Sequence, residues 1–307
     1  MTDLLSIVVP CYNEEEVLPL FYEATENVEL PIAREYIFID DGSSDKTLAI
    51  IKDLQATDEQ VRYVTFSRNF GKEAAIHAGL KEASGNYVVL LDADLQDPPE
   101  LLPRMLGILQ ENDELDSVAT KRVTRDGEPL IRSLFAKGFY WLINKISETE
   151  IVDGARDYRM MSRQMVDSIL SVTEYNRFSK GLFSWVGYKS EYLAFENTER
   201  AGGETNWSFW GLFTYAVDGI ISYSTVPLLV ASVIGLLMFI LSIVVAIIFA
   251  VRTILFDNPV AGWTSLTVMI LGLGGIQLFA LGIIGQYLGK TLLEAKNRPL
   301  YIVKDKG

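Results

Sequence analysis

Residues 87–100 read Tyr87-Val88-Val89-Leu90-Leu91-Asp92-Ala93-Asp94-Leu95-Gln96-Asp97-Pro98-Pro99-Glu100. A short, β-branched apolar run ends abruptly in two acids one residue apart. Led in by Ser84-Gly85-Asn86, the run predicts a buried strand. Side-chain alternation then sets Asp92 and Asp94 on the same side at its C-terminal end. In open α/β sheets that edge is where ligands bind. Two close carboxylates repel unless a cation lies between them, and hard oxygen donors suit Mg²⁺ or Mn²⁺. Such an ion can in turn hold a diphosphate. The alternative is a solvated acidic turn. The buried lead-in strand and the Leu-Gln-Asp-Pro-Pro-Glu continuation favour the ligand-binding reading.

The same pattern repeats upstream. Leu5-Ser6-Ile7-Val8-Val9-Pro10 predicts a first strand, and Asn13-Glu14-Glu15-Glu16 predicts the opening of a helix, its acids favoured by the dipole. Tyr36-Ile37-Phe38-Ile39 predicts a second strand, ending in Asp40-Asp41-Gly42-Ser43-Ser44-Asp45, with a helix over 46–55. Val61-Arg62-Tyr63-Val64-Thr65-Phe66 predicts a third strand and 71–83 a third helix. Strand and helix alternate four times in the first hundred residues. The expected fold is α/β, a Rossmann-like, mostly parallel sheet with helices on both faces. Every polar cluster falls at a strand's C-terminal end.

The rest of the chain has a different character. Residues 219–251 and 258–289 carry no charged side chain, and each run exceeds the ~20 residues that span a bilayer as a helix. A short connector from Arg252 to Trp263 makes them a hairpin, with spans expected at about 227–251 and 264–288. After Gly289, Lys290, Lys296, Arg298, Lys304 and Lys306 outnumber Glu294 and Asp305. Positive-inside bias sets this basic 290–307 tail in the cytoplasm, and the domain over 1–225 with it. The expected location is a bacterial inner membrane, multi-pass, with both termini cytoplasmic. The N-terminus has neither a basic n-region nor a long h-region, so no signal peptide is expected. The single cysteine, Cys11, excludes an intrachain disulfide and fits a reducing compartment. Net charge is −13 despite the basic tail, which argues against nucleic-acid binding and is compatible with a cation-dependent nucleotide site. The lone His77 lies in the predicted third helix, so a histidine zinc site is excluded. Two amphipathic stretches, about 129–147 and 206–224, carry aromatic residues such as Trp141, Trp207 and Trp210. They are expected at a membrane interface, although the first would equally suit a helix packed on the sheet.

Val8-Val9-Pro10-Cys11-Tyr12-Asn13-Glu14-Glu15, the Asp40-Asp41-Gly42 cluster and Asp92-Ala93-Asp94-Leu95-Gln96 occur in order at strand ends. Together they resemble the nucleotide-sugar site of family 2 glycosyltransferases with the GT-A fold. Ser67-Arg68-Asn69-Phe70-Gly71-Lys72, the 154–163 segment and the two spans extend the resemblance to the bacterial polyisoprenyl-phosphate glycosyltransferases. These include bactoprenol glucosyltransferases and are related to dolichyl-phosphate mannose synthase. The resemblance implies a membrane-anchored, inverting transfer of a hexose from UDP-sugar to undecaprenyl phosphate. It implies that Pro10, Tyr12 and Glu14 line the nucleoside pocket, and that Asp41 accepts a hydrogen bond from base or ribose. Asp92 and Asp94 would hold Mg²⁺ or Mn²⁺ with Gln96 in support, Arg200 would reach the diphosphate, and Asp157 would lie near the reacting carbon. Arg122, Arg132 and Lys137 would meet the lipid phosphate.

Other roles stay open for these residues. Tyr12 suits packing at a strand end, Asp41 suits a turn or helix cap, and Asp157 suits a salt bridge to Arg156 or Arg159. Asn206 stands where the family commonly has Lys, which leaves a cationic role there to Arg200. Two other functions would leave different marks in the sequence. A processive polysaccharide synthase would carry Gln-x-x-Arg-Trp, which is absent. A non-catalytic scaffold would be expected to have lost one acid of Asp-x-Asp. Gly272, Gly274, Gly275, Gly282 and Gly285 in the second span invite helix–helix contact and homo-oligomers.

Overall fold

The computed structural model describes residues 3–122, 143–147, 152, 154–195, 217, 219–222, 224–255 and 262–307. Four parallel strands form the centre of the sheet: β1 (Leu4–Cys11), β2 (Ala33–Asp40), β3 (Val61–Phe66) and β4 (Tyr87–Leu90). They alternate with α1 (Leu18–Glu26), α2 (Thr47–Thr57) and α3 (Lys72–Glu82), and α4 (Leu102–Glu111) follows β4. β5 (Ser117–Arg122), β6 (Ala155–Ser162), β7 (Ser190–Phe195) and β8 (Val303–Lys306) complete an eight-stranded sheet ordered β7-β5-β6-β4-β1-β2-β3-β8. Two further helices, α5 (Arg163–Ser171) and α6 (Ser179–Trp185), follow β6.

Strand alternation divides the core in two. Ile7, Val9, Phe38 and Val89 face α1 and α4, whereas Val8, Ile37, Ile39, Val88 and Leu90 face α3 and α5. α3 sits close on β1 because Gly79 has no side chain; a Cβ there would meet Val8 Cγ1 at 2.1 Å. Below the ligand edge, the buried Glu35 carboxylate ties three strands' ends together. It accepts from Ser6 Oγ (2.6 Å), Ser84 N (2.8 Å), Ser84 Oγ (2.7 Å) and Arg62 (3.2 Å). Burial would raise its pKa, but these donors hold it below the usual glutamate range.

The first helix begins at Leu18 rather than at Asn13. The reason is tertiary: residues 13–15 are bonded across to the loop after β2. Asn13, in the left-handed region (φ 56°), donates its N–H to Ser43 Oγ and accepts from Ser44 N. Glu14 N donates to Thr47 Oγ1 and Glu15 N to Asp45. Held there, Asn13 keeps a left-handed backbone that cannot begin a right-handed helix.

α7 (Val226–Leu255) and α8 (Trp263–Ala295) are long and apolar enough to cross a membrane. Leu236, Phe239, Leu278 and Phe279 on them are each about 60% exposed or more. A soluble protein would not leave so large an apolar surface in water. The start of α7 and the end of α8 lie together, since Tyr287 Oη donates to Ser224 O at 2.5 Å. Most of the two amphipathic stretches lies outside the described residues, but 143–146 and 219–222 are helical.

Thirty-three residues make α8 roughly 50 Å long, more than a ~30 Å hydrocarbon core requires. Its end reaches the sheet domain, where Glu294 accepts from Tyr175 N, Asn176 N and Asn176 Nδ2, each at 3.0 Å. The chain then adds β8 antiparallel to β3, with Tyr63 N donating to Gly307 O and Ser67 N to Ile302 O. Lys52 and Tyr63 both bind Asp305. Tyr301 stacks on Phe66 with ring centroids 4.7 Å apart and lies 6.0 Å from the His77 ring.

His77 is thus a packing residue between α3 and the C-terminal segment. Burial, with Arg177 and Lys81 nearby, pushes its pKa down from 6.5 to about 4. On acidification the unfolded imidazole takes up a proton before the folded one does. Stability is therefore complete above pH 6.5 and falls as the pH drops toward 4. The thermal midpoint of the detergent-solubilised protein should fall between pH 7 and pH 5, and His77→Gln should flatten that slope. An unchanged slope in the variant would refute this account.

Candidate active site

The register of β4 against β6 builds the site. Leu90 pairs with Arg159 in antiparallel order. Continuing that register two residues past the strand end sets Asp92 opposite Asp157. β1 runs parallel on the other side of β4 with Val8 beside Leu90, so Pro10 is level with Asp92. β4 itself ends at Leu90, and residues 93–94 turn. The expected alternation persists beyond the strand: Leu91 and Ala93 are buried, Asp92 and Asp94 half-exposed. Leu95, in the left-handed region (φ 55°), completes the turn, and Gln96 N donates to Asp94 Oδ1 at 3.1 Å.

One cation joins the acids. Lys72 Nζ lies 2.7 Å from Asp92 Oδ2 and 2.8 Å from Asp157 Oδ2. Asp157 therefore does form a salt bridge, but to Lys72 rather than to Arg156 or Arg159. Burial alone would raise its pKa; Lys72, Lys180 and Arg159 reverse this and hold its carboxyl far below the usual range. Arg156 instead pairs with Asp97, Nε to Oδ1 at 3.0 Å, and reaches Gln96 Oε1 at 3.4 Å. Arg159 is buried beside the Ser117 and Ser190 hydroxyls.

Lys72 was quoted in the sequence motif but not selected as a site residue. One local signal marks it: it opens α3, at the positive end of the helix dipole, where a cation is disfavoured by about 0.3–1 kcal/mol. A lysine there requires acids nearby. Asp97 is the other residue not selected. Burial, and then repulsion from Asp92 and Asp94, push its carboxyl up to about 7 against the pull of Arg156.

Asp41 is buried and accepts from Phe70 N (2.6 Å) and Gly71 N (2.8 Å). The local turn is closed by Asp40, which accepts from Ser43 N, whereas Asp41 reaches across and fixes the segment that leads into Lys72. Burial raises its pKa while the two backbone donors oppose this. Gly42 (φ 70°) allows the contact, because a Cβ there would meet the Arg68 carbonyl carbon at 2.5 Å. Tyr12 is 43% exposed at the same edge, so its ring does not serve the core. Glu14 is half-buried at that edge, its backbone held by Thr47.

Arg132, Lys137 and Arg200 lie outside the described residues, as does the Arg122 side chain, although Arg122 itself ends β5. Pro10, Tyr12, Glu14, Asp41, Asp92, Asp94, Gln96 and Asp157 share one edge of the sheet.

The donor chemistry at Asp92 and Asp94 fits a hard divalent cation. Both offer half-exposed carboxylate oxygens two residues apart at the end of β4. Among the described residues no group of three or more His, Cys, Asp or Glu side chains could cage a metal. Diphosphate oxygens would complete the coordination, which is how Mg²⁺ is commonly held.

A model of the glycosyl transferase family 2 matches residues 6–170. The chain belongs to that family. It is 43% identical over 307 residues to an uncharacterized glycosyltransferase of Synechocystis sp., covering 99% of this chain and 96% of that protein. It is 41% identical over 304 residues to the bactoprenol glucosyl transferase of Shigella phage SfX, covering 98% and 99%. Among solved structures, glucosyl-3-phosphoglycerate synthase from Mycobacterium tuberculosis, in complex with Mn²⁺, UDP-glucose and phosphoglyceric acid, matches with a TM-score of 0.47 and 19% identity. That match covers 71% of this chain and 78% of that one. The protein is a glycosyltransferase with a GT-A sheet domain and two apolar C-terminal helices.

Replacing Asp41 tests how that edge is held. Asp41→Asn turns one acceptor into a donor facing a backbone N–H, a loss of about 1.5–3 kcal/mol for hydrogen bonds to a charged group. The thermal midpoint should fall accordingly. An unchanged midpoint with lost uridine-nucleotide binding would assign Asp41 to the ligand alone.

Proposed function

We propose that this glycosyltransferase moves a hexose, glucose, from UDP-sugar to undecaprenyl phosphate on the cytoplasmic leaflet, supplying a lipid-linked sugar for envelope glycans. The observation that carries the reading is the meeting of Asp92, Asp94 and Asp157 on one sheet edge, in a chain whose two apolar helices return to that same sheet. Near-complete coverage of relatives named bactoprenol glucosyl transferase supports the acceptor and the sugar.

In this reading the Tyr12 face and Pro10 hold the base, with Glu14 and Asp41 beside the nucleoside. Asp92 and Asp94 would hold Mg²⁺ or Mn²⁺, with Gln96 and Arg200 in support. When bound, such a cation would supply positive charge to the departing UDP. A lipid phosphate oxygen attacks the anomeric carbon from the face opposite UDP. The new C–O bond forms as the C–O bond to the diphosphate breaks, so the anomeric configuration inverts. Arg122, Arg132 and Lys137 receive the lipid phosphate as hydrogen-bonding cations.

The acceptor needs little help from a base. A phosphate monoester has a second pKa of about 6 and is largely ionised near neutral pH. Asp157, held firmly in its charged form, is a poor proton acceptor. Its role is therefore to orient the sugar or the acceptor.

Incubation with a panel of UDP-sugars and undecaprenyl phosphate, read as lipid-linked product, tests the assignment. UDP-glucose should be preferred; product from a water-soluble acceptor alone would overturn the lipid assignment. Asp94→Asn should weaken Mn²⁺-dependent UDP binding and lower turnover roughly 10²–10³-fold, the scale of losing one charge-stabilising group. Wild-type turnover persisting in excess EDTA would remove the cation from the mechanism.

The topology has its own test. A cysteine at Asn258 should label from outside intact cells, and one at Lys304 should not. Cys11 is buried and its thiol pKa is raised, mainly by that burial, so the native background is silent. The reverse pattern would move the active site across the membrane.

A further inference from the structure

The ammonium of Lys72 holds together two acids from opposite sides of the site, one at the end of β4 and one on β6. Without it, two carboxylates brought opposite each other by the β4–β6 register would face each other unscreened. Its position is built from both neighbours. Asp41 pins the N–H groups of Phe70 and Gly71 immediately before it. Glu73, immediately after it, is anchored by the Ser179 N–H at 3.0 Å. The backbone of Lys72 is thus fixed, while its side chain remains 44% exposed on a flexible four-carbon stem. A fixed backbone that carries an ammonium within reach of two acids suits a group that changes partners.

We propose that Lys72 is a positioning residue for the transfer reaction: its ammonium is the resident counter-ion of Asp92 and Asp157 before the donor arrives, and it yields Asp92 to the divalent cation while keeping Asp157. This rests on the divalent-cation reading of Asp92 and Asp94. The consequence is ordered loading. An ammonium on Asp92 opposes a metal ion arriving alone, because two cations then compete for one carboxylate. A metal ion arriving with a diphosphate brings its own compensating negative charge, so the competition is relieved. Lys72, released from Asp92, stays beside the diphosphate and continues to orient Asp157.

Mn²⁺ binding, followed by the electron paramagnetic resonance of free Mn²⁺ with and without UDP, separates this from a merely structural lysine. In the wild type, Mn²⁺ should bind weakly alone and at least tenfold more tightly with UDP. Lys72→Met should bind Mn²⁺ alone at least tenfold more tightly than the wild type, losing most of the UDP dependence, while kcat falls more than KM rises. Lys72→Arg keeps the charge and should retain the wild-type UDP dependence. Lys72→Gln makes the same comparison where the methionine variant fails to fold. Wild-type protein that gains Mn²⁺ affinity with UDP while Lys72→Met and Lys72→Gln gain none alone would overturn the proposal and leave the cation reading intact. Wild-type protein that binds no Mn²⁺ even with UDP would overturn the cation reading and the proposal together.

Discussion

The antiparallel register of β6 on β4 is the constraint on which the rest of the site depends. It brings Asp157, on a strand more than 60 residues downstream, opposite the acids that end β4. Charge then dictates what must surround them. Asp92 and Asp157 need a cation, and Lys72 supplies it from the first turn of α3. Asp97 lies behind them, buried against Arg156, and burial, with repulsion from Asp92 and Asp94 added, raises its pKa to about 7. The site is a concentration of negative charge held in shape by two basic side chains.

The loops at the C-terminal ends of β1, β2 and β3 are held less by helices than by one another. Asn13, Glu14 and Glu15 bond to Ser43, Ser44, Asp45 and Thr47, and Asp41 reaches the turn before α3. Three strand–helix turns thereby behave as one unit. The arrangement uses backbone N–H groups that a helix start would otherwise leave unpaired. It leaves the Tyr12 ring outside the core, exposed at the ligand edge.

The apolar helices and the sheet domain are also tied together. α8 continues beyond the length a bilayer needs, and its end is gripped by the 175–176 backbone through Glu294. β8 then covers the edge of β3, which would otherwise expose unpaired backbone groups. Tyr301 lies over Phe66 and beside His77 on α3, the helix that presents Lys72. The segment after α8 is thus packed against the element that carries the site's bridging cation.

The sequence by itself determined the four parallel strands, the helices between them, the apolar hairpin and most of the residues at the ligand edge. These are written in local periodicity: short β-branched runs, acids at their ends and charge-free stretches longer than a bilayer. Only the tertiary structure decided the partners. Asp157 could have met Arg156 or Arg159, its chain neighbours, but strand alternation turns Arg156 to the other face, where it pairs with Asp97, and Arg159 is held by the Ser117 and Ser190 hydroxyls, so Lys72 of α3 makes the ion pair instead. Asn13 looked like the start of a helix until the neighbouring loop claimed its hydrogen bonds. The residues after α8 showed only positive charge, since a four-residue edge strand has too few side chains to announce itself. Its pairing depends on β3, more than 200 residues away. Local pattern specifies elements because propensity and burial act within a few residues. Ion pairs, register and edge pairing depend on chain segments far apart in sequence, and only folding brings those together.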